Sequence, residues 1–142
     1  SMAGARLGFC FASAEIIKDL ELIKYSTNPY NINRLTQIAG AAAMKENDYY
    51  TENCARIIKA REYTVERLEQ SGFTVLPSSA NFVFARHDKI SGEEFYLRLK
   101  EKGILVRHFT SARIADYNRI TIGSMEQMTA FCDTAELILK ET

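Results

Sequence analysis

Gly72-Phe73-Thr74-Val75-Leu76-Pro77, followed by Asn81-Phe82-Val83-Phe84-Ala85-Arg86, is where the chain changes period. Before Gly72 the apolar residues recur at helical spacing; after it they run in short extended segments. Phe73 to Leu76 reads as a strand stopped by Pro77. Asn81 to Arg86 is apolar on both of its faces and so reads as a central, covered strand. Gly72 is placed to end the preceding helix in a left-handed cap.

Downstream, Ser91 caps a short helix with Phe95 and Leu99 inward, and Gly103 ends it. Ile104 to Phe109 and Arg119 to Ile122 read as strands. Ser124 with Gln127 forms a capping box for a last helix that carries Met128, Phe131, Ala135 and Ile138 on one stripe. This half therefore predicts a small sheet with helices packed on one face, an α/β arrangement.

Upstream, helices dominate. Tyr50 to Ser71 predicts a long one, with Cys54, Ile57, Ile58, Val65 and Leu68 inward and Glu62, Glu66 and Arg67 on a solvated face. Leu7 to Ala12 reads as a short buried strand. Ser13 caps a helix with the stripe Ile16, Ile17, Leu20 and Ile23, which Asn28-Pro29 breaks. Asn33 caps another with Leu35, Ile38, Ala39 and Ala42. The polar stretch Lys45 to Asp48 divides residues 1–47 from residues 48–142.

Composition sets bounds. Eighteen Lys and Arg balance eighteen Asp and Glu, so net charge points to no nucleic-acid or membrane partner. No apolar run reaches the ~18 residues of a membrane helix. Three cysteines, Cys10, Cys54 and Cys132, lack CxxC spacing and sit among apolar neighbours, so they read as reduced core residues and not as a zinc site. His87 and His108 have no spaced partner, and no metal site is expected. Ser1-Met2 is open to reading as native or as a remnant of expression.

Four strings carry a resemblance: Ala3-Gly4-Ala5-Arg6-Leu7-Gly8-Phe9, Tyr30-Asn31-Ile32-Asn33, Pro77-Ser78-Ser79-Ala80-Asn81-Phe82, and the pair Gly103-Ile104-Leu105-Val106-Arg107 with Arg119-Ile120-Thr121-Ile122-Gly123. In this order and spacing they resemble the C-terminal portion of histidinol-phosphate aminotransferases. Those are fold-type I enzymes that use pyridoxal 5'-phosphate (PLP). Threonine-phosphate decarboxylases and other aminotransferases of the same class share much of the pattern. The resemblance makes residues 1–47 the end of the large domain with inter-domain helices, and residues 48–142 the C-terminal small domain.

It also implies roles. Arg6 matches the family arginine that binds the PLP phosphate, a task suited to a fixed fork of donors, and Gly4 and Gly8 allow close passage of the backbone. Arg119 matches the arginine for the amino-acid carboxylate. Ile120 and Ile122 point one way along its strand while Arg119 and Thr121 point the other. Arg107 matches a second substrate-facing arginine; its plain alternative is an ion pair with an acid such as Asp116. Asn81 and Tyr30 match positions near the substrate; their alternatives are bonding of loop backbone at the strand entry for Asn81 and simple turn chemistry for Tyr30. The family lysine that binds PLP covalently falls three residues before Ser1, and the aspartate for the pyridine nitrogen further upstream. The chain alone is therefore expected to be inactive.

The implied reaction is transfer between L-histidinol phosphate and 2-oxoglutarate in histidine biosynthesis, by a cytoplasmic homodimer acting on small molecules. A different class of reading is a non-catalytic, stand-alone domain for anion binding or assembly. The apolar residues Leu20, Leu22, Ile23, Leu35 and Ile38 in the early helices favour the enzyme portion.

Overall fold

Helix caps written in the sequence set most of the boundaries of this computed structural model, which describes residues 3–141; Ser1 and Met2 lie outside the described residues. A 3-10 turn at Ala3–Ala5 is followed by α1 (Ala14–Thr27), α2 (Arg34–Lys45), α3 (Asn47–Gln70), β1 (Thr74–Leu76), β2 (Phe82–Arg86), α4 (Gly92–Glu101), β3 (Arg107–His108), β4 (Asn118–Thr121) and α5 (Met125–Lys140). The side chains of Ser13, Asn33, Ser91 and Ser124 each accept a hydrogen bond from the backbone N–H three residues on. Gln127 returns the bond to the Ser124 N–H at 2.9 Å, completing the capping box. At Gly72 and Gly103 the backbone turns left-handed, φ 88° and 81°. The N–H of Phe73 then reaches the carbonyl of Leu68, and that of Ile104 the carbonyl of Leu99, the Schellman closure that only glycine takes without strain.

The chain forms two units, residues 3–50 and residues 51–141, with α3 beginning in the first and running through the second. In the second unit the strands form one antiparallel sheet in the order β1-β2-β4-β3. Val83 and Ala85 of β2, with Asn118 and Ile120 of β4, face the core. Ala60, Thr64 and Leu68 of α3, Phe95 and Leu99 of α4, and Met128, Phe131, Ala135 and Ile138 of α5 are buried with them. The helices thus cover one face. β2 is central, as its apolar content predicts, but it is covered on that face alone: Phe82 stays 36% exposed. Its second apolar face forms part of the site described below.

Several expectations are corrected. Residues 7–12 form no strand and are exposed, Phe11 at 92%, because no strand among the described residues pairs with them, and a lone strand has nothing to hold it. The α1 stripe buries no residue. The strand expected over residues 104–109 is ordered as such only at Arg107–His108. The inward stripe of α3 runs through Ala60, Thr64 and Leu68, while Cys54 and Ile58 are exposed. Arg67 is not on a solvated face. Its guanidinium bonds Glu136 (Nε, 3.0 Å), Asp133 (2.9 Å) and the Tyr63 hydroxyl (2.6 Å), tying α3 to α5. Those acceptors raise its pKa above the ordinary arginine value.

Cys10 and Cys54 are likewise exposed; only Cys132 is a core residue. Burial pushes the Cys132 thiol up to about 11, since the thiolate is the form that loses hydration. A raised folded pKa leaves stability intact below the unfolded value and removes it as pH rises through the folded one. At about pH 8 a maleimide reagent should reach and label the exposed Cys10 and Cys54 quickly. Cys132 should react only on unfolding, and labelling of Cys132 at the same rate as Cys10 would contradict its burial.

Candidate functional site

Strand alternation builds the site. With Val83, Ala85, Asn118 and Ile120 committed to the core, Phe82, Phe84 and Arg86 of β2 and Arg119 and Thr121 of β4 must emerge on the uncovered face. The register sets Phe84 opposite Arg119 on one side and Arg107 opposite Arg119 on the other. Partners on one rung share a face, so the two arginines stand side by side there.

Aromatic rings surround them. The Arg119 guanidinium lies 5.4 Å from the Phe82 ring centroid, and that of Arg107 lies 5.5 Å from Phe109. Phe84 meets Phe109 edge-on at 5.9 Å and stacks on Tyr117 at 4.8 Å. An open cavity of about 540 Å³ is lined by Pro77, Ser78, Ser79, Ala80, Phe82, Phe84, Phe109, Ile114 and Arg119. Rings over guanidinium faces restrict how the cations point without neutralising them.

The electrostatics separate these two arginines from their neighbours. Arg86 is paired: it reaches Asp88 at 2.6 Å, and bonding to Tyr117 with the Asp88 charge raises its pKa. Arg107 and Arg119 have no ion pair among the described residues, Asp116 included, and Arg119 Nε is buried without a hydrogen-bond partner. Like charges on one rung oppose pairing, and a buried donor left unmade costs about 1–3 kcal/mol. Arg119 lines the cavity and Arg107 does not, so a planar carboxylate or a phosphate there meets the Arg119 donors first.

The loop before β2 is held by residues that spacing alone did not flag. Arg61 Nη1 donates to the Ala80 carbonyl at 2.8 Å. Ser78 Oγ donates to the Phe82 carbonyl at 2.6 Å and accepts from the Ala80 N–H at 3.1 Å. This loop-bonding role, considered for Asn81, belongs to Ser78 and Arg61. Asn81 itself is exposed, and its carbonyl accepts from the Ile122 N–H at 2.9 Å, extending the ladder to β4. Phe84, Phe109 and Ile114 were also missed; two phenylalanines on the non-core face of β2 were the signal that this face is an apolar cavity wall.

Arg6 and Tyr30 belong to the first unit. Arg6 is the one non-glycine residue with positive φ among the described residues, at 57°, a conformation that persists only where the surroundings impose it. The buried Thr36 hydroxyl donates to the Ala5 carbonyl at 3.3 Å, and Leu7 packs so tightly on Gly40 that a Cβ there would collide with it. Between these pins the Arg6 side chain is exposed and has no ion pair among the described residues. A Cβ at Gly4 or Gly8 would meet no atom within 4 Å, so the turn is open around a free guanidinium, which fits a phosphate. Tyr30 is 92% exposed on the turn between α1 and α2.

The family model described as "Aminotransferase class I and II" matches residues 1–134. The chain belongs to this aminotransferase family. Aminotransferases of this family depend on PLP. The chain is 46% identical over 140 residues to a histidinol-phosphate aminotransferase of Brachyspira hyodysenteriae, covering 99% of this chain and 40% of that protein. Among solved structures, the histidinol-phosphate aminotransferase of Clostridium acetobutylicum superposes with a TM-score of 0.86 at 28% identity, over 99% of this chain and 43% of that one. The Sinorhizobium meliloti histidinol-phosphate aminotransferase, a complex with pyridoxal-5'-phosphate, gives 0.77 at 25%, over 97% and 38%. This aminotransferase chain thus spans about 40% of the length of the curated relatives it matches.

No helix among the described residues is long and apolar enough to cross a membrane, and no group of three or more His, Cys, Asp or Glu among them could hold a metal ion.

Proposed function

We propose that these residues are the cofactor-phosphate contact and the substrate-selecting wall of a histidinol-phosphate aminotransferase, which exchanges an amino group between L-histidinol phosphate and 2-oxoglutarate. The observation that carries this is the rung of Arg107 beside Arg119, two unneutralised cations with a buried, unpartnered Nε among aromatic rings. Arg119 holds the carboxylate of glutamate or 2-oxoglutarate by its planar fork. Arg107 adds the second positive charge that a phosphate dianion needs. Asn81 leads the strand that carries Phe82, and Tyr30 serves at the substrate mouth. Residues 1–47 act as the end of a large domain and residues 48–142 as the small domain of a cytoplasmic homodimer.

Arg6 binds the PLP phosphate from its left-handed turn. When bound, PLP supplies the electron sink for transamination. The residues here orient substrate and cofactor, and the covalent lysine comes from outside these 142 residues. Lys18, Lys24 and Lys59 lie on exposed helix surface, whereas an imine-forming lysine is held desolvated against the cofactor aldehyde. One charge-assisted contact from Arg6 contributes ~1.5–3 kcal/mol, well below the ~8 kcal/mol of micromolar binding.

The 142-residue chain is therefore expected to lose added PLP on dialysis and to show no turnover of histidinol phosphate with 2-oxoglutarate. A stoichiometric visible band that survives dialysis, or turnover above that of free PLP, would place the catalytic lysine within these residues and overturn this part of the reading.

A further inference from the structure

The arginine rung has a neighbour on the opposite face of the same strand. The two residues of β3 make two rungs with β4: Arg107 with Arg119 on the open face, and His108 with Asn118 on the core face. The core-face rung carries two buried polar atoms without partners, His108 Nδ1 and Asn118 Oδ1. They are complementary. The Asn118 amide nitrogen donates to the Gly92 carbonyl at 2.8 Å, which settles which end of the amide is the oxygen. The remaining atom can only accept, and an imidazole nitrogen can donate. Tyr96 stacks against the imidazole with ring centroids 5.9 Å apart, which limits the planes the ring can take.

We propose that His108 carries its proton on Nδ1 and donates it through one buried water to Asn118 Oδ1, and that this rung holds Arg107 beside Arg119. The inference rests on the reading of those arginines as one anion site. β3 is a two-residue edge strand. The like charges of its open-face rung oppose its pairing, and few backbone bonds resist them. A satisfied polar rung favours pairing, because slipping the register would leave both buried atoms unmade. His108 touches no anion itself; it is a positioning residue for Arg107. A carboxylate on the Arg119 fork does not need Arg107, whereas a phosphate dianion draws on both cations. Loss of the rung should therefore weaken phosphate binding and spare carboxylate binding.

The test uses the ¹⁵N-labelled 142-residue chain. At about pH 8.5, long-range proton–nitrogen correlation should show the His108 proton on Nδ1; a proton on Nε2 alone overturns the proposal. Titrations with sodium glutarate and with inorganic phosphate are then followed at the arginine Nε–H signals. His108→Ala should weaken phosphate about fivefold to tenfold, the scale of one hydrogen bond, and leave glutarate within about twofold. His108→Gln, whose amide can donate to Asn118, should restore most of the loss. Equal losses for both anions, or an unchanged phosphate affinity, overturn the positioning role. Arg119→Ala reports separately on the underlying reading. If glutarate affinity survives it, the anion site itself is wrong. If glutarate is lost there while phosphate ignores His108→Ala, only the rung is wrong. A wild-type chain that takes up neither anion overturns both.

Discussion

Arg119→Ala, in an enzyme that joins this chain to the catalytic lysine, should lower kcat/KM for glutamate by roughly a hundredfold to a thousandfold, the kinetic equivalent of about 3–4 kcal/mol. The size follows from the site. The guanidinium is unneutralised among the described residues, its Nε is buried and unpartnered, and Phe82 lies 5.4 Å away across its face. A substrate carboxylate that enters this cavity leaves water and depends on the fork for compensation; removing the fork leaves the anion buried and unpaired. Arg119→Lys should recover only part of the loss, because a single ammonium cannot reproduce two parallel donors. Arg107→Ala should cost less with glutamate and more with a phosphate-bearing donor. Steady-state kinetics with the two amino donors checks this. An unchanged kcat/KM for glutamate in Arg119→Ala would remove the carboxylate role.

Leu99→Ala should destabilise the unit of residues 51–141 by about 2–5 kcal/mol. Leu99 is fully buried, at 0% exposure, on the inner side of α4. Its truncation removes apolar contact and leaves a cavity between α4 and its packing partners, α5 among them. For a domain of this size each kcal/mol moves the midpoint by about 4–8 °C, so the thermal transition should fall by roughly 8–40 °C. That is a large share of the ~5–15 kcal/mol by which domains are stable. Urea unfolding of the two chains decides the matter. A difference under about 1 kcal/mol would mean that the helical layer does not bear on the sheet as described.

Much of the second unit was legible from local chemistry. The Ser91 and Ser124 caps, and the Gly72 and Gly103 closures, depend on residues three to five positions apart, so a single sequence states them. The alternation around Arg119 was legible for the same reason: with Ile120 and Ile122 committed to the core, Arg119 has only one other face to occupy. Residues 7–12 show the limit. Their apolar run is the same whether or not a neighbouring strand exists, and among the described residues none does. Arg67 shows a second limit. Its helical position looked solvated, but Glu136 and Asp133 come to it from a helix more than sixty residues away.

The candidate site divides along the same line. The motifs bring Arg6, Asn81, Arg107 and Arg119 to attention only through a family resemblance; the arginines suit anions, but residue type alone does not set them apart from solvated surface. What the sequence by itself determined is therefore the helix ends, the change of period at Gly72 and the side of β4 on which Arg119 emerges, all set by backbone geometry and nearest neighbours. Only the tertiary structure decided that β3 pairs with β4 in the register that sets Arg107 opposite Arg119, that Phe82 and Phe109 lie against their guanidiniums, and that Arg61 and Ser78 hold the loop beside them. The contacts of Arg107 with Arg119, Phe82 with Arg119 and Arg61 with Ala80 join segments about ten to forty residues apart, and their register depends on which side chains can be buried together, a property of the packed chain and not of any one stretch of it.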